Sequence, residues 1–255
     1  MTGRAARLGR AVLVPLVVLV LWEVISRTGV VSALVMPAPS RVVVRWWAYA
    51  ASGEMLEDAA GSLTRVLGGF AIGAGLALPL GLLMGAKDWV HDLFNPLLQI
   101  LRPIPPIAFI PLAILWFGLG DPPAFFLIAL GAFFPVLVNT IAGVRHVDAI
   151  HLRAARNLGA REWTIFRRVI LPSAMPYVLS GMRIGIGVAF IVVIVAEMTA
   201  VNRGLGYRIL EAREYFWSDK IIAGMITIGL IGLFIDGGMG WVSARLLRWH
   251  RGLEG

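Results

Sequence analysis

The chain is a succession of long apolar stretches separated by short polar segments. A helix needs about 20 mostly apolar residues to cross a hydrocarbon layer about 30 Å thick. Six stretches meet or approach this length, and they lie at residues 11–22, 66–86, 103–120, 122–144, 176–196 and 221–244. Only Arg183 interrupts the fifth stretch and only Asp236 interrupts the sixth. The pattern predicts an all-α membrane protein with six transmembrane helices, organised as one domain over residues 1–255.

The composition points to the same class. Of the 255 residues, 58% are hydrophobic and 15% are charged, whereas soluble domains contain about 25% charged residues. A soluble globule of this length would need a polar shell that this chain cannot supply. The composition therefore excludes a soluble enzyme, a disordered chain and a fibrous repeat.

The distribution of the net charge of +8 predicts an orientation. With a cytoplasmic N-terminus, the cytoplasmic segments carry 14 basic and five acidic residues, and they are 1–10, 86–102, 145–172 and 245–255. The segments on the other side carry eight residues of each sign, near 26–65, 117–122 and 197–220. Because Lys and Arg concentrate in cytoplasmic loops, both termini are predicted to be cytoplasmic. The charge is explained without a nucleic-acid partner.

The N-terminal region allows two interpretations. Residues 1–30 form an extra helix before a core at residues 60–250, or they are a cleaved signal peptide, since three arginines precede a short apolar stretch. The topology of the core is the same in both cases. Residues 41–51, rich in aromatic side chains, are predicted to form an interfacial helix in contact with membrane lipid. Ser62 is expected to cap the second span.

Glycines spaced four residues apart occur on the second and fifth spans, as the pairs Gly69/Gly73, Gly81/Gly85 and Gly181/Gly185. Small residues at this spacing let helix backbones approach closely in lipid. We expect them to pack helices together inside the chain, the alternative being an interface between subunits.

Several kinds of chemistry find no residues to support them. The sequence contains no GxxxxGK[ST] stretch for nucleotide phosphates, no GxSxG nucleophile turn and no cysteine. Its four histidines show no metal-ligand spacing. We therefore expect no catalytic residues, no metal site and no cofactor in this chain, and an intramembrane enzyme has no catalytic constellation to support it.

The longest cytoplasmic segment, residues 145–172, has a structure of its own. Asp148 is predicted to cap a short helix that extends through Asn157, and Gly159 lies where a helix end favours a left-handed residue. A second helix is predicted from Arg161 to Leu171, where Pro172 should end it. The result is a basic helix–turn–helix knob with exposed apolar side chains. It is either a loop lying on the membrane or a docking element for a cytoplasmic partner.

This segment resembles the EAA loop of ABC-importer permeases, whose pattern is EAA, three residues, Gly, nine residues and I-x-L-P. The spacing matches throughout, with Arg153 in place of Glu and Val169 in place of Ile. Other stretches over about residues 35–250 resemble permeases of the nitrate/sulfonate/taurine subfamily, and they are Ser62-Leu63-Thr64-Arg65, the proline-rich run 101–112, Trp116-Phe117-Gly118, Ala196-Glu197-Met198 and Gly204-Leu205-Gly206-Tyr207.

The resemblance implies a type I ABC-importer permease (MetI-like) architecture in the bacterial inner membrane. It implies that the loop is a coupling element for a separate cytoplasmic ATPase, with the coupling residues Arg153, Ala154, Ala155, Gly159, Leu171 and Pro172. One EAA loop per chain implies a second permease chain in a homodimer, two copies of the ATPase, and delivery of solute by an extracytoplasmic binding protein. The solute would be small, such as a sulfonate, taurine or nitrate. The substitution at Arg153 puts the usual salt link to the ATPase in doubt.

Polar and broken positions within the spans are candidates for a translocation pathway. Ionisable residues at membrane depth usually face a bundle interior or a cavity, which selects Glu197, Arg183 and Asp236. Pro105 and Pro106 belong to a proline run that should break the third helix, and a broken helix is tolerated only where protein or cavity water satisfies its backbone. The alternative function is a self-sufficient secondary transporter or channel, which predicts paired broken helices; the sequence shows one.

Overall fold

A computed structural model describes the backbone of residues 2–248 and the side chains of residues 13–248. Eleven α-helices make up the described chain, with a 3₁₀ turn at Pro106–Phe109 and a π-helical segment at Phe166–Ile170. The helices are α1 (Thr2–Arg27), α2 (Pro39–Ala51), α3 (Glu54–Ala86), α4 (Asp88–Leu101), α5 (Ile110–Phe117), α6 (Asp121–Arg145), α7 (Ala149–Asn157), α8 (Glu162–Ile165), α9 (Leu171–Ala200), α10 (Leu205–Glu214) and α11 (Ser218–Leu246). The prediction of an all-α chain is confirmed.

The core is built around α6, which packs along α3 on one side and along α9 on the other. The contacts are close because small residues face α6. A Cβ at Gly73 would overlap the carbonyl oxygen of Ala129, and a Cβ at Gly185 would lie 2.9 Å from Val136. All six glycines of the spaced pairs face α6 in this way. The prediction that they pack helices inside the chain is confirmed.

The number of membrane spans agrees with the sequence in part. Within the described residues, four helices are long and apolar enough to cross a membrane: α3, α6, α11 and the continuous helix Glu162–Ala200. The first predicted span, 11–22, lies within α1, and the side chains of its first two residues are outside the described set. Six spans and two cytoplasmic termini therefore stay predictions.

The third predicted span is not one helix, and most of the preceding segment, 86–102, is helical. Residues 88–101 form α4, which meets the 3₁₀ turn and α5 at an angle of 82°. Prolines at 103, 105 and 106 fill the break. They have no N–H to continue the helical ladder, which explains the sharp bend. The pair counts as a fifth span if the two helices cross together.

Pro172 does not end the helix of the cytoplasmic knob, contrary to the prediction. The chain runs from α8 through the π-helical segment into α9 as a single helix, Glu162–Ala200. In the π segment the N–H of Leu171 bonds the carbonyl of Phe166, five residues back. Pro172 follows directly after this π-helical segment, whose widened turn interrupts the regular ladder where Pro172 has no N–H to donate.

Candidate functional site

A buried polar network joins α3, α6, α9 and the start of α10. It lies at the end of the molecule that the charge distribution predicts to be extracytoplasmic, called the outer end below. Nη1 of Arg65 donates to Oε1 of Glu197 at 2.7 Å, and Nε of Arg65 donates to Oδ1 of Asp121 at 2.7 Å. The side chain of Arg65 is 3% exposed and that of Glu197 is fully buried. Burial of this kind makes each charge dependent on its partner.

The other oxygens of this network are also satisfied. The hydroxyl of Ser62 donates to the Glu197 carboxylate at 2.7 Å and accepts the backbone N–H of Leu205 at 3.1 Å. The N–H of Gly206 donates to Oε2 of Glu197 at 2.9 Å. Ser62 was expected to cap a helix, but α3 begins eight residues earlier, at Glu54, and Ser62 lies buried in its interior. The network therefore fixes the loop after α9 onto α3.

A second cluster continues the network outward. The buried carboxylate of Asp58 accepts hydrogen bonds from the hydroxyl of Tyr49 at 2.8 Å, from Nε of Arg208 at 2.8 Å and from the N–H of Gly204 at 3.1 Å. Burial, reinforced by the bond to Asp58, raises the pKa of the Tyr49 hydroxyl. The bond to Asp58 raises the pKa of the Arg208 guanidinium. Both groups therefore keep their protons throughout the physiological range.

Two predicted pathway residues meet in the structure. Arg183 of α9 and Asp236 of α11 form a bidentate ion pair, with distances of 2.7 Å from Nε to Oδ1 and 2.6 Å from Nη2 to Oδ2. The pair lies on the surface of the chain, with about half of each side chain exposed. Glu197, the third predicted residue, belongs instead to the buried network. The three ionisable pathway candidates therefore lie in two places, the exposed ion pair and the buried network.

The remaining predicted pathway residues line a cavity. Pro105 and Pro106, at the break between α4 and α5, form one wall of a cavity of about 380 Å³. Residues from the middle of α6 and α9 form the opposite walls, and Arg102 lies at its edge. The broken helix therefore borders an open cleft, and a break at membrane depth is tolerated where it lines a cavity.

The predicted coupling segment forms a knob at the opposite end of α9. Asp148 caps α7 by accepting the N–H of Ile150 at 3.0 Å, and Gly159 has a φ of 75°, so both local predictions are confirmed. Arg153, Ala154 and Ala155 lie on α7. The other two predicted coupling residues, Leu171 and Pro172, lie in the first turn of α9.

Apolar side chains project from this knob. Leu158, in the turn after α7, is 87% exposed, and Trp163 on α8 is 69% exposed and stacks on Phe166. The one ion pair of the described residues within the knob joins Arg156 to Glu162 at 3.2 Å, and both groups are largely exposed. A pair of this kind contributes little stability. The knob therefore presents a small apolar surface surrounded by arginines.

Apolar spanning helices, a broken helix beside a cavity and a protruding knob are typical of a membrane transport protein. The profile of the family described as "Binding-protein-dependent transport system inner membrane component" matches residues 77–248. The chain belongs to this family. It is the permease subunit of an ABC importer, a multi-pass inner-membrane protein, and ATP hydrolysis belongs to a separate subunit.

Individual relatives cover nearly the whole chain. SsuC of Bacillus subtilis, named for aliphatic sulfonate transport, is 39% identical over 96% of this chain and 89% of its own length. The taurine transport system permease TauC of Escherichia coli is 33% identical over 92% of this chain and 87% of its own length. The inward-facing MetNI methionine ABC transporter has a chain with a TM-score of 0.66 at 17% identity, covering 77% of this chain and 97% of that one. This likeness shows that the fold is shared.

Sequence reasoning missed most of the outer network. Arg65, Asp58 and Asp121 were counted as loop charges outside the membrane, because they lie beyond the ends of the apolar stretches. Only their distant partners reveal their role, since Arg65 and Glu197 are 132 positions apart. The sequence did contain one signal. Glu57 and Asp58 follow Glu54 by three and four positions, which is the spacing of one helix face.

Proposed function

We propose that this permease imports a small sulfonate-type anion, working as a homodimer with two ATPase subunits that bind the knob of residues 145–172. The observation that carries the proposal is the apolar surface of the knob, where Leu158 and Trp163 are left exposed beside several arginines. An exposed apolar patch with a polar rim is characteristic of a protein interface. The positive charge and the cytoplasmic location predicted for this segment suit a soluble subunit on that side.

The link between the knob and the membrane supports coupling. The knob is continuous with α9 through the single helix Glu162–Ala200, which would be about 58 Å long. A helix of that length transmits a displacement at one end to the other. In this proposal the coupling residues are Arg153, Ala154, Ala155 and Gly159, with Leu171 and Pro172 at the start of the lever.

The exposed pair Arg183–Asp236 supports a path beside α9 and α11. A charged pair directed at lipid would be costly, so such residues face a cavity or another subunit. The same face of α9 carries Ser180 and Gly187, which are also exposed. We assign this face to the pathway between two copies of the chain. The substrate class follows from the relatives, two of which are named for aliphatic sulfonates and for taurine.

The ATPase contact can be tested with charge substitutions on the knob. Leu158→Asp and Gly159→Asp should prevent capture of the ATPase subunit in detergent and abolish uptake in proteoliposomes, while membrane insertion stays normal. Leu119→Asp is the matched control, because Leu119 is 74% exposed in the loop at the outer end. Normal ATPase capture by Leu158→Asp would show that the knob is not the docking site.

One further measurement distinguishes the ATP-driven importer from the alternative, a self-sufficient transporter. Proteoliposomes that contain the permease alone should take up no sulfonate, and uptake should require both the ATPase subunit and ATP. Equal uptake without the second subunit would favour the alternative.

A further inference from the structure

The cavity at the helix break is an open cleft about half-way along α9. Ile184 and Val188 of α9 line it, and Ile184 is about 20 Å from the Leu171 end and about 24 Å from the Ala200 end of that helix. Its volume of about 380 Å³ is at the lower end of the range for small-molecule pockets, about 300–1,000 Å³. The cleft therefore has the size for a small solute, and it lies far from both ends of α9.

One cation serves this cavity. Arg102 is the only charged residue among those that line it. Among the described residues, none of the ion pairs includes Arg102. By contrast, Arg65 and Arg183 are both paired with carboxylates. Arg102 thus offers a guanidinium whose charge is uncompensated, and its planar fork suits the oxygens of a sulfonate or nitrate.

A neutral donor lies on the facing helix. Asn139 of α6 also lines the cavity, and its Nδ2 donates to the carbonyl of Pro135 at 2.8 Å. That bond fixes the amide and uses one of its two N–H groups, which leaves the second as a donor. Most of the other lining side chains are apolar, among them Ile104, Phe134 and Val188. The arrangement combines a few polar groups with apolar walls, which is typical of a small-molecule site.

We propose that this cavity is a transient anion-binding site on the transport path, where Arg102 balances the charge of the solute and Asn139 contributes a hydrogen bond. The inference rests on the proposed function, because it assumes that the solute is an anion and passes along α9. The same guanidinium could bind anionic oxygens from a lipid headgroup, so the test must separate the two sources.

The experiment uses the complete transporter in proteoliposomes, with its ATPase and its binding protein, and follows a radiolabelled alkanesulfonate. Arg102→Gln and Asn139→Asp should each lower the rate of uptake about tenfold or more, equivalent to about 1.4 kcal/mol, while ATP hydrolysis and complex assembly are retained. Arg102→Lys keeps the charge but not the planar fork, so its uptake should fall between that of the wild type and that of Arg102→Gln. Arg213→Gln, at an exposed arginine on α10, is the matched control and should leave uptake unchanged.

The variants distinguish the possible failures. Wild-type uptake by both Arg102→Gln and Asn139→Asp would overturn the anion site. Loss of uptake in Arg102→Gln with normal uptake in Asn139→Asp would also overturn it. A new carboxylate at position 139 should repel an anion that enters the cavity, so normal uptake would mean that the solute does not pass there. Arg102 would then be assigned to a lipid headgroup. A wild-type transporter that hydrolyses ATP but imports no alkanesulfonate would contradict the proposed substrate class, and the anion site with it.

Discussion

The buried pair Arg65–Glu197 should be the main polar determinant of stability at the outer end. Replacing Glu197 with Ala removes the acceptor for Arg65, Ser62 and the N–H of Gly206 in one step. Arg65 then retains Asp121, whose side chain is 45% exposed, and the backbone carbonyl of Arg203. Removing one partner of a buried ion pair costs about 3–5 kcal/mol, because the other charge stays buried without compensation.

Two further variants divide this effect. Ser62→Ala deletes one hydroxyl and leaves the ion pair in place, so it should cost about 1–3 kcal/mol. Glu197→Gln keeps an acceptor for Gly206 but removes the charge opposite Arg65, and it should fall between the other two. As a control, Glu23→Gln breaks the ion pair with Arg27, whose side chain is 68% exposed, and keeps an amide oxygen that can accept from Ser40, so it should change stability by less than about 1 kcal/mol.

The assay is thermal unfolding of the detergent-solubilised permease, followed by the fraction that stays monodisperse on size exclusion. For a chain of this length a loss of 1 kcal/mol lowers the midpoint by about 2–4 °C. Glu197→Ala should therefore lose roughly 6–20 °C, with Ser62→Ala clearly milder. A Glu197→Ala midpoint equal to that of Glu23→Gln would refute the argument that the pair is buried and mutually dependent.

Two other substitutions test packing and backbone strain. Gly73→Ala should destabilise the chain by about 1–3 kcal/mol, because the new Cβ must force α3 away from α6. In Gly75→Ala the new Cβ meets no neighbouring atom, so this variant should unfold at or above the wild-type temperature. Equal midpoints for the two variants would contradict the close contact at Gly73. Phe216 has a φ of 57°, a backbone region that Asn tolerates better. Phe216→Asn should therefore raise the free energy of unfolding by up to about 1 kcal/mol, and the midpoint with it. A lowered midpoint would show that the exposed ring contributes more stability than the backbone strain costs.

Hydropathy predicted the bounds of two spanning helices, α6 and α11, closely. The predicted stretches 122–144 and 221–244 correspond to α6 and α11 within three residues at each end. It underestimated α3, which begins twelve residues before its apolar stretch. The first twelve residues of α3 include charged side chains, which lower the local hydropathy. They are nevertheless helical, and Asp58 and Arg65 among them bond to partners on other elements. A count of charges cannot identify such partners.

The break in the third span was predictable, whereas its shape was not. Prolines indicate where the hydrogen-bond ladder fails, and the structure bends there. The charge count places residues 86–102 among the cytoplasmic segments and predicts no helix there, and Asp88, His91 and Asp92 lie near the start of this segment. In the structure these polar residues occupy the first turns of α4, and the apolar remainder packs on the core cluster through Phe94 and Leu98. Periodicity within a short amphipathic segment would have been the better guide.

The arrangement of close and loose contacts indicates which parts can move. α3, α6 and α9 are joined by backbone contacts at glycines, and the first and last of them are locked at the outer end by Arg65 and Glu197. Interiors packed in this way do not deform continuously. A displacement of the knob should therefore carry the three helices as one body. The change in shape must then occur where packing is sparse, at the break between α4 and α5 and along the exposed faces of α9 and α11, which are the places where the solute is proposed to pass.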